Sequence, residues 1–267
     1  MPKTTRKLPG FEGVAAGQTA TLRLPIGRTY EQLLITYAGA TLAQLDELRI
    51  IANGDVLHRI TELTKLDSLN QFNGRAAANG VIVFDFTRFN MRTRASEEVY
   101  ALGTGVLDDP RTVTTLSLEI DVNAAAVGTA LSAKAITSEK RLSSNVVKTR
   151  QFTYTASAAG EFEISDLPKG EAINKIYVGG HAANVYTTIE VERDNFIEFS
   201  RSVAENSKIQ IDGVRTPQAD FVVYDPTELG NSESLGTAGV ADLRLRLGVT
   251  NAGQIPVTVE YIGTLDI

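Results

Sequence analysis

The 267-residue sequence has no cysteine and no tryptophan, and only two histidines and two methionines. Without cysteine there is no disulfide scaffold, thiolate zinc site, iron–sulfur cluster or cysteine nucleophile. Two histidines leave little for imidazole chemistry. Long apolar runs are missing too. The longest stretches free of Asp, Glu, Lys and Arg are 14 residues, Gln32–Leu45 and Ile176–Ile189, whereas a spanning helix needs about 18 apolar residues or more. Positive charge is not in excess: 26 Lys and Arg face 32 Asp and Glu, a net charge of −6, so no global basic field points to nucleic acid. Lys3, Arg6 and Lys7 near the N-terminus are not followed by an apolar core, so a secretory signal is not expected. The patterns G-x-S-x-G, the P-loop and G-x-G-x-x-G after a strand are all absent.

What is present is ordinary globular material, 43% hydrophobic and 22% charged. At roughly 150 residues per domain the length corresponds to about 1.8 domains. Strict alternation of apolar and polar residues dominates. Thr19–Leu24 reads T-A-T-L-R-L, Val81–Phe86 V-I-V-F-D-F, Thr115–Val122 T-L-S-L-E-I-D-V, Leu243–Val249 L-R-L-R-L-G-V and Pro256–Ile262 P-V-T-V-E-Y-I. Period two buries one face of a strand and wets the other. Asn53-Gly54-Asp55 between two apolar runs is a hairpin signal, and Asn73-Gly74, Asn79-Gly80 and Asp212-Gly213 are similar punctuation.

Helical signals are short. Thr41–Leu48 carries Leu42, Leu45 and Leu48 at spacing three, with Thr41 as N-cap and Gln44 three residues on. Thr61–Phe72 carries Leu63, Leu66 and Leu69 at the same spacing, and Ala95–Leu102 is a third candidate. Short helices among many short strands predict a decorated β-sandwich.

The sequence also repeats itself. Ala15-Ala16-Gly17 recurs as Ala158-Ala159-Gly160, Leu24-Pro25 as Leu167-Pro168 and Gly27 as Gly170, all at an offset of 143. An apolar strand follows each block, Tyr30–Tyr37 and Ile173–Val178. V-I-V-F-D-F at Val81–Phe86 answers D-F-V-V-Y-D at Asp220–Asp225, and Leu116–Ile120 answers Leu243–Leu247 at an offset of 127. The second half therefore has shorter loops, chiefly before its last two strands. The expected organisation is an N-terminal arm over 1–13, a first sandwich over 14–138, a polar linker over 139–150 and a second sandwich over 151–267. Two all-β sandwiches of about eight strands each fit two tandem jelly rolls, with short helices in the loops.

Candidate chemistry is sparse. His58 sits in the predicted hairpin strand and His181 in the loop Gly179-Gly180-His181-Ala182, and neither has a partner at catalytic or zinc spacing. Calcium is the one metal the composition permits, with Asp108, Asp109 and Asp225 as weak ligand candidates beside Glu228 and Asn231. No other cofactor is expected. Lys3, Arg6 and Lys7 are candidates for a membrane-facing arm, and many copies on one shell would multiply three small contributions. Arg88, Arg92 and Arg94, after Phe86, are candidates for a subunit contact because a planar guanidinium suits interfaces.

Val14-Ala15-Ala16-Gly17, Leu24-Pro25-Ile26-Gly27 and Thr29-Tyr30-Glu31 resemble the start of the major capsid protein of corticoviruses, tailless phages with an internal membrane. Ala101-Leu102-Gly103-Thr104, Asp242-Leu243-Arg244-Leu245 and Val259-Glu260-Tyr261 resemble later segments of the same family, in order and spacing. The resemblance implies a double jelly-roll coat protein and no enzymatic activity. It implies a homotrimer that forms a pseudo-hexagonal capsomer and tiles, with neighbouring trimers, an icosahedral shell around a membrane. A vertex or penton protein and membrane-associated virion proteins would be partners, and nucleic acid would not be touched directly. The location implied is the virion capsid, assembled in the host cytoplasm at the internal membrane. Two other readings of the residues stay open. Tandem sandwiches can recognise carbohydrate, as in a spike, although tryptophan platforms are missing. A β-sandwich hydrolase would have to use a carboxylate pair.

Overall fold

The computed structural model describes residues 3–88, 98–106, 112–228 and 234–265. Contacts divide the chain into two units. One comprises Met1–Gln71, Arg75–Thr149 and Gly263–Ile267, and the other comprises Phe72–Gly74 and Arg150–Ile262.

The strands of the first unit are β1 (Thr4–Lys7), β2 (Thr19–Arg23), β3 (Thr29–Ala38), β4 (Leu45–Ala52), β5 (Asp55–Thr61), β6 (Val81–Asp85), β7 (Leu102–Gly103), β8 (Leu116–Val122) and β9 (Ala130–Ser138). Helix α1 (Leu63–Phe72) follows β5. One sheet has the order β1-β9-β3-β6, with β7 added to β3, and the other has β2-β8-β4-β5. Two four-stranded antiparallel sheets in these orders form a jelly roll. The second unit contains β10 (Val146–Ala156), whose residues up to Thr149 count with the first unit, and then β11 (Gly160–Ile164) and β12 (Ala172–Gly179). After the short helix α2 (His181–Asn184) come β13 (Tyr186–Arg193) and β14 (Phe196–Ser202). Helix α3 (Val203–Gln210), β15 (Phe221–Tyr224), β16 (Leu243–Val249) and β17 (Gly253–Gly263) complete the unit. Its sheet orders, β10-β17-β12-β15 and β11-β16-β13-β14, repeat the first unit strand for strand. The chain is thus two tandem eight-stranded jelly rolls with short helices in the loops.

Alternation explains the cores. β8 and β16 bury every second residue: Leu116, Leu118, Ile120 and Val122 in one, Leu243, Leu245, Leu247 and Val249 in the other. Each roll closes its own apolar cluster, and each fully buried aliphatic side chain contributes about 1.5–3 kcal/mol. α1 buries Leu63, Leu66, Leu69 and Phe72, the face its spacing predicted.

Three expectations change. Thr41–Leu48 is not a helix: Leu42–Gln44 forms a single 3-10 turn, and Leu45–Ala52 is strand β4. A β-bulge between Leu45 and Glu47 is the cause. The extra residue leaves Leu45 and Leu48 both facing inward, three apart, which imitates helical spacing. Residues 4–7, read as part of an arm, form the edge strand β1, antiparallel to β9. Residues 146–150, read as linker, open β10, with Val146 only 2% exposed and Lys148 buried as well. The Ala95–Leu102 helix lies partly outside the described residues, and Leu102 is already strand.

Candidate functional site

The pairing registers align the two rolls residue by residue. Tyr30 and Ile173 are the second residues of the matching strands β3 and β12, and both strands bulge at the next residue, Glu31 and Asn174. Both bulge residues are buried and polar. Glu31 accepts from Ser138 Oγ at 2.7 Å, and Asn174 donates to Glu260 at 2.7 Å. The hairpins β4–β5 and β13–β14 also match. Each has a two-residue left-handed turn, Asn53-Gly54 or Asp194-Asn195, and each has a bulge after the second ladder pair. His58 and Phe199 are therefore equivalent positions.

The strongest shared feature is an arginine–aspartate pair, part-buried in the first roll and buried in the second. Arg75 donates Nε and Nη2 to the two oxygens of Asp85 at 3.1 and 2.8 Å, ten residues on. Arg215 donates Nε to Asp225 at 2.6 Å and Nη2 to Thr227 at 2.9 Å, again ten residues on. Asp85 is the last residue of β6 and Asp225 directly follows β15, the strands after the helices, at an offset of 140. The preceding helix is tied down at the same offset: Asn70 donates to the Val83 carbonyl at 2.8 Å, and Gln210 to that of Val223 at 3.0 Å. Neither pair is apparent from hydropathy, but the R-x9-D of Arg75 and Asp85 recurs as Arg215 and Asp225 at the offset of 140. Burial pushes the Asp85 carboxyl up, and Arg75 offsets only part of that rise. Burial also works against ionised Asp225, but Lys175 and Arg215 outweigh it and hold the carboxyl below the ordinary range. Asp225 is fully buried, and its oxygens meet Arg215, Thr227 and Lys175. Its positive partners are side chains of the roll itself. Glu228 pairs with Arg201. Asp108, Asp109 and Asn231 lie outside the described residues, and among the described residues no cluster of three His, Asp or Glu is placed to hold a metal.

The wet face of each β2-type sheet carries a charge ladder with its signs exchanged. Arg49 of β4 faces Glu119 of β8, with Nε to Oε2 at 3.1 Å. At the equivalent positions Glu190 of β13 faces Arg246 of β16, with Nη1 to Oε1 at 2.9 Å. Arg49 also reaches Glu47 and Asp121, and Arg246 also reaches Glu163 and Glu192.

The histidines do not form a site. His58 is buried edge-on to Phe84, with ring centroids 4.8 Å apart, and its Nδ1 lies 3.0 Å from Thr149 Oγ1. Burial lowers its pKa to about 3. His181 opens α2, and its Nδ1 accepts from the Tyr186 N–H at 3.0 Å. Lys3 is paired with Glu31 and Glu98, whereas Arg6 and Lys7 are exposed on β1. Arg88 is buried beside Tyr100, its guanidinium 5.1 Å from the ring centroid. Arg92 and Arg94 lie outside the described residues. An open depression of about 620 Å³ beside the β13–β14 turn is lined by residues including Arg193, Asp194, Phe196 and Glu198, with no nucleophile and base in catalytic arrangement.

Comparison with known proteins agrees with this architecture. The model of the viral coat protein P2 N-terminal domain matches residues 5–140, and that of the C-terminal domain matches residues 146–265. The major capsid protein P2 of Pseudoalteromonas phage PM2 is 28% identical over 96% of this chain and 95% of its own. The crystal structure of that protein superposes with a TM-score of 0.89 at 27% identity, covering 98% of both chains. A chain of the Sulfolobus turreted icosahedral virus matches in fold alone, with a TM-score of 0.69, 12% identity, and 98% and 91% coverage.

Proposed function

The chain belongs to the viral coat protein P2 family, and from that premise we propose how it builds a shell. It is a structural major capsid protein without enzymatic activity, located in the virion capsid, where it assembles with copies of itself into capsomers. The proposed capsomer is a homotrimer of pseudo-hexagonal outline. Such trimers would tile an icosahedral shell around an internal membrane, assembled in the host cytoplasm at that membrane, with a vertex or penton protein and membrane-associated virion proteins as further partners. One observation carries this: two rolls of identical strand order in one chain. Three copies then present six similar sides, and closed symmetry makes every contact repeat. Native mass spectrometry tests it. A stable species of three times the 28.8 kDa chain mass is expected, and a monomer at micromolar concentration overturns it. Arg6 and Lys7, exposed on β1, with Lys3 beside them, would meet the anionic membrane surface. Co-flotation with anionic vesicles should be lost in the Arg6→Glu/Lys7→Glu variant and kept by the wild type. Equal flotation of the two counts against the contact.

A further inference from the structure

The two rolls match in their strands but differ at one edge. In the first roll, the outer side of β5 takes a parallel bridge between His58 and Thr149, the leading part of β10. The equivalent strand of the second roll is β14, where Phe199 occupies the position of His58. Among the described residues β14 is paired on one side only, by β13. An open edge is a template for another strand and is ordinarily blunted, yet β14 presents Phe196 at 70% exposure and Ile197 at 53%. At the position of Phe196 the first roll has Asp55, also the partner of the residue before the turn. The counterpart of β10 in the first roll is β1, the opening strand of its sheet. β1 is likewise paired on one side only, by β9, and all four of its residues are exposed.

We propose that the open edge of β14 receives β1 of a second copy of this chain, as β5 receives the start of β10. Each chain then offers one donor edge and one acceptor edge. The contact is heterologous, and it closes a ring only when the rotation between copies divides the circle. Strand addition supplies backbone hydrogen bonds, and Phe196 and Ile197 supply the apolar part of the contact. The inference rests on the homotrimer reading and names the edges that would make the trimer.

The absence of native cysteine makes the test clean. In the full-length Thr5→Cys/Ser200→Cys variant, a short bis-maleimide should join chains into covalent species of two and three chain masses. Each single variant should give at most dimers. Separately, Phe196→Ser/Ile197→Ser changes exposed side chains, so the fold should persist by circular dichroism while the trimer–monomer midpoint moves at least about tenfold upward in concentration. A native trimer that gives no covalent ladder and an unmoved midpoint overturns the edge assignment and leaves the homotrimer intact. A wild-type chain that is monomeric overturns the homotrimer reading itself.

Discussion

The two rolls hold an arginine–aspartate pair at the same point of the fold, and the two aspartates respond in opposite senses. Asp85 has one guanidinium and is pushed up by burial. Asp225 has Arg215 and also Lys175 and is held down. Lys175 occupies the position that Gln32 fills in the first roll, and Gln32 donates to Asp85 at 2.6 Å. A neutral-to-cationic exchange beside the carboxylate, together with the Thr227 hydroxyl that Asp225 accepts from, goes with the opposite direction of the pKa. Burial raises both carboxyls, and at Asp225 the adjacent Lys175 joins Arg215 in opposing it. Duplicated folds can thus keep a geometry while changing its electrostatics.

The sharpest way to break the comparison is to neutralise each aspartate. Asp225→Asn removes the fully buried carboxylate that two buried cations, Arg215 and Lys175, share, and should cost about 3–5 kcal/mol. Asp85→Asn should cost clearly less, because burial already favours the uncharged form there. Urea denaturation followed by near-ultraviolet circular dichroism checks this, and equal losses would show that Lys175 makes no difference. Next in size is His58. Its folded-state pKa of about 3 lies below the unfolded value of about 6.5. The neutral form is the folded one, so its stability is fully present above pH 6.5 and is lost as pH falls towards 3. By pH 4 the loss amounts to about 3 kcal/mol. His58→Phe copies the residue at the equivalent position, Phe199, and should flatten the acid limb of the stability profile. An unchanged limb would place the acid sensitivity elsewhere.

Smaller effects sharpen the comparison further. α3 has a capping box: Ser202 Oγ accepts from the Glu205 N–H at 3.2 Å, and the Glu205 carboxylate accepts from the Ser202 N–H at 2.9 Å. Ser202→Ala should cost about 1 kcal/mol, read as a lower denaturation midpoint. The exchanged ladder pairs should matter least. Glu119→Gln and Glu190→Gln, on partly exposed faces, should each cost under about 1 kcal/mol. The two losses should be similar, since the pair is the same with its signs reversed. A large loss from only one of them would mean that one ladder does more than satisfy its own arginine.

Much of this was legible in the sequence because period-two alternation is a local property. β8 and β16 can be read directly, since every second residue is buried. The direct repeat at offset 143 brackets β2 and β11, but the strands themselves pair one residue out of that register. Thr21 lies opposite Glu119, and Glu163 lies opposite Arg246, an offset of 142. The slip puts Ala20 and Leu22 on the same face as Phe162 and Ile164, and flanking identities cannot reveal it. β14 was not legible. Its residues F-I-E-F-S-R-S leave no clean alternation, because an edge strand is only partly covered. β1 has all its residues exposed and so no hydropathy signal at all. Asp225 was legible as an acidic residue in a loop cluster, but not as the partner of Arg215.

By itself the sequence determined that the chain is a duplicated all-β protein without thiol or zinc chemistry, and its residue order tied it to a coat-protein family. These are properties of composition and local periodicity. The tertiary structure alone decided that residues 4–7 are the opening strand of a sheet, that Leu45–Leu48 is a bulged strand, and that Arg75 and Arg215 pair with aspartates ten residues away. It also decided which strands are left as edges. Those outcomes depend on which distant segment lies alongside, and a strand acquires its partner, its bulge and its buried charge only when the sheet closes around it.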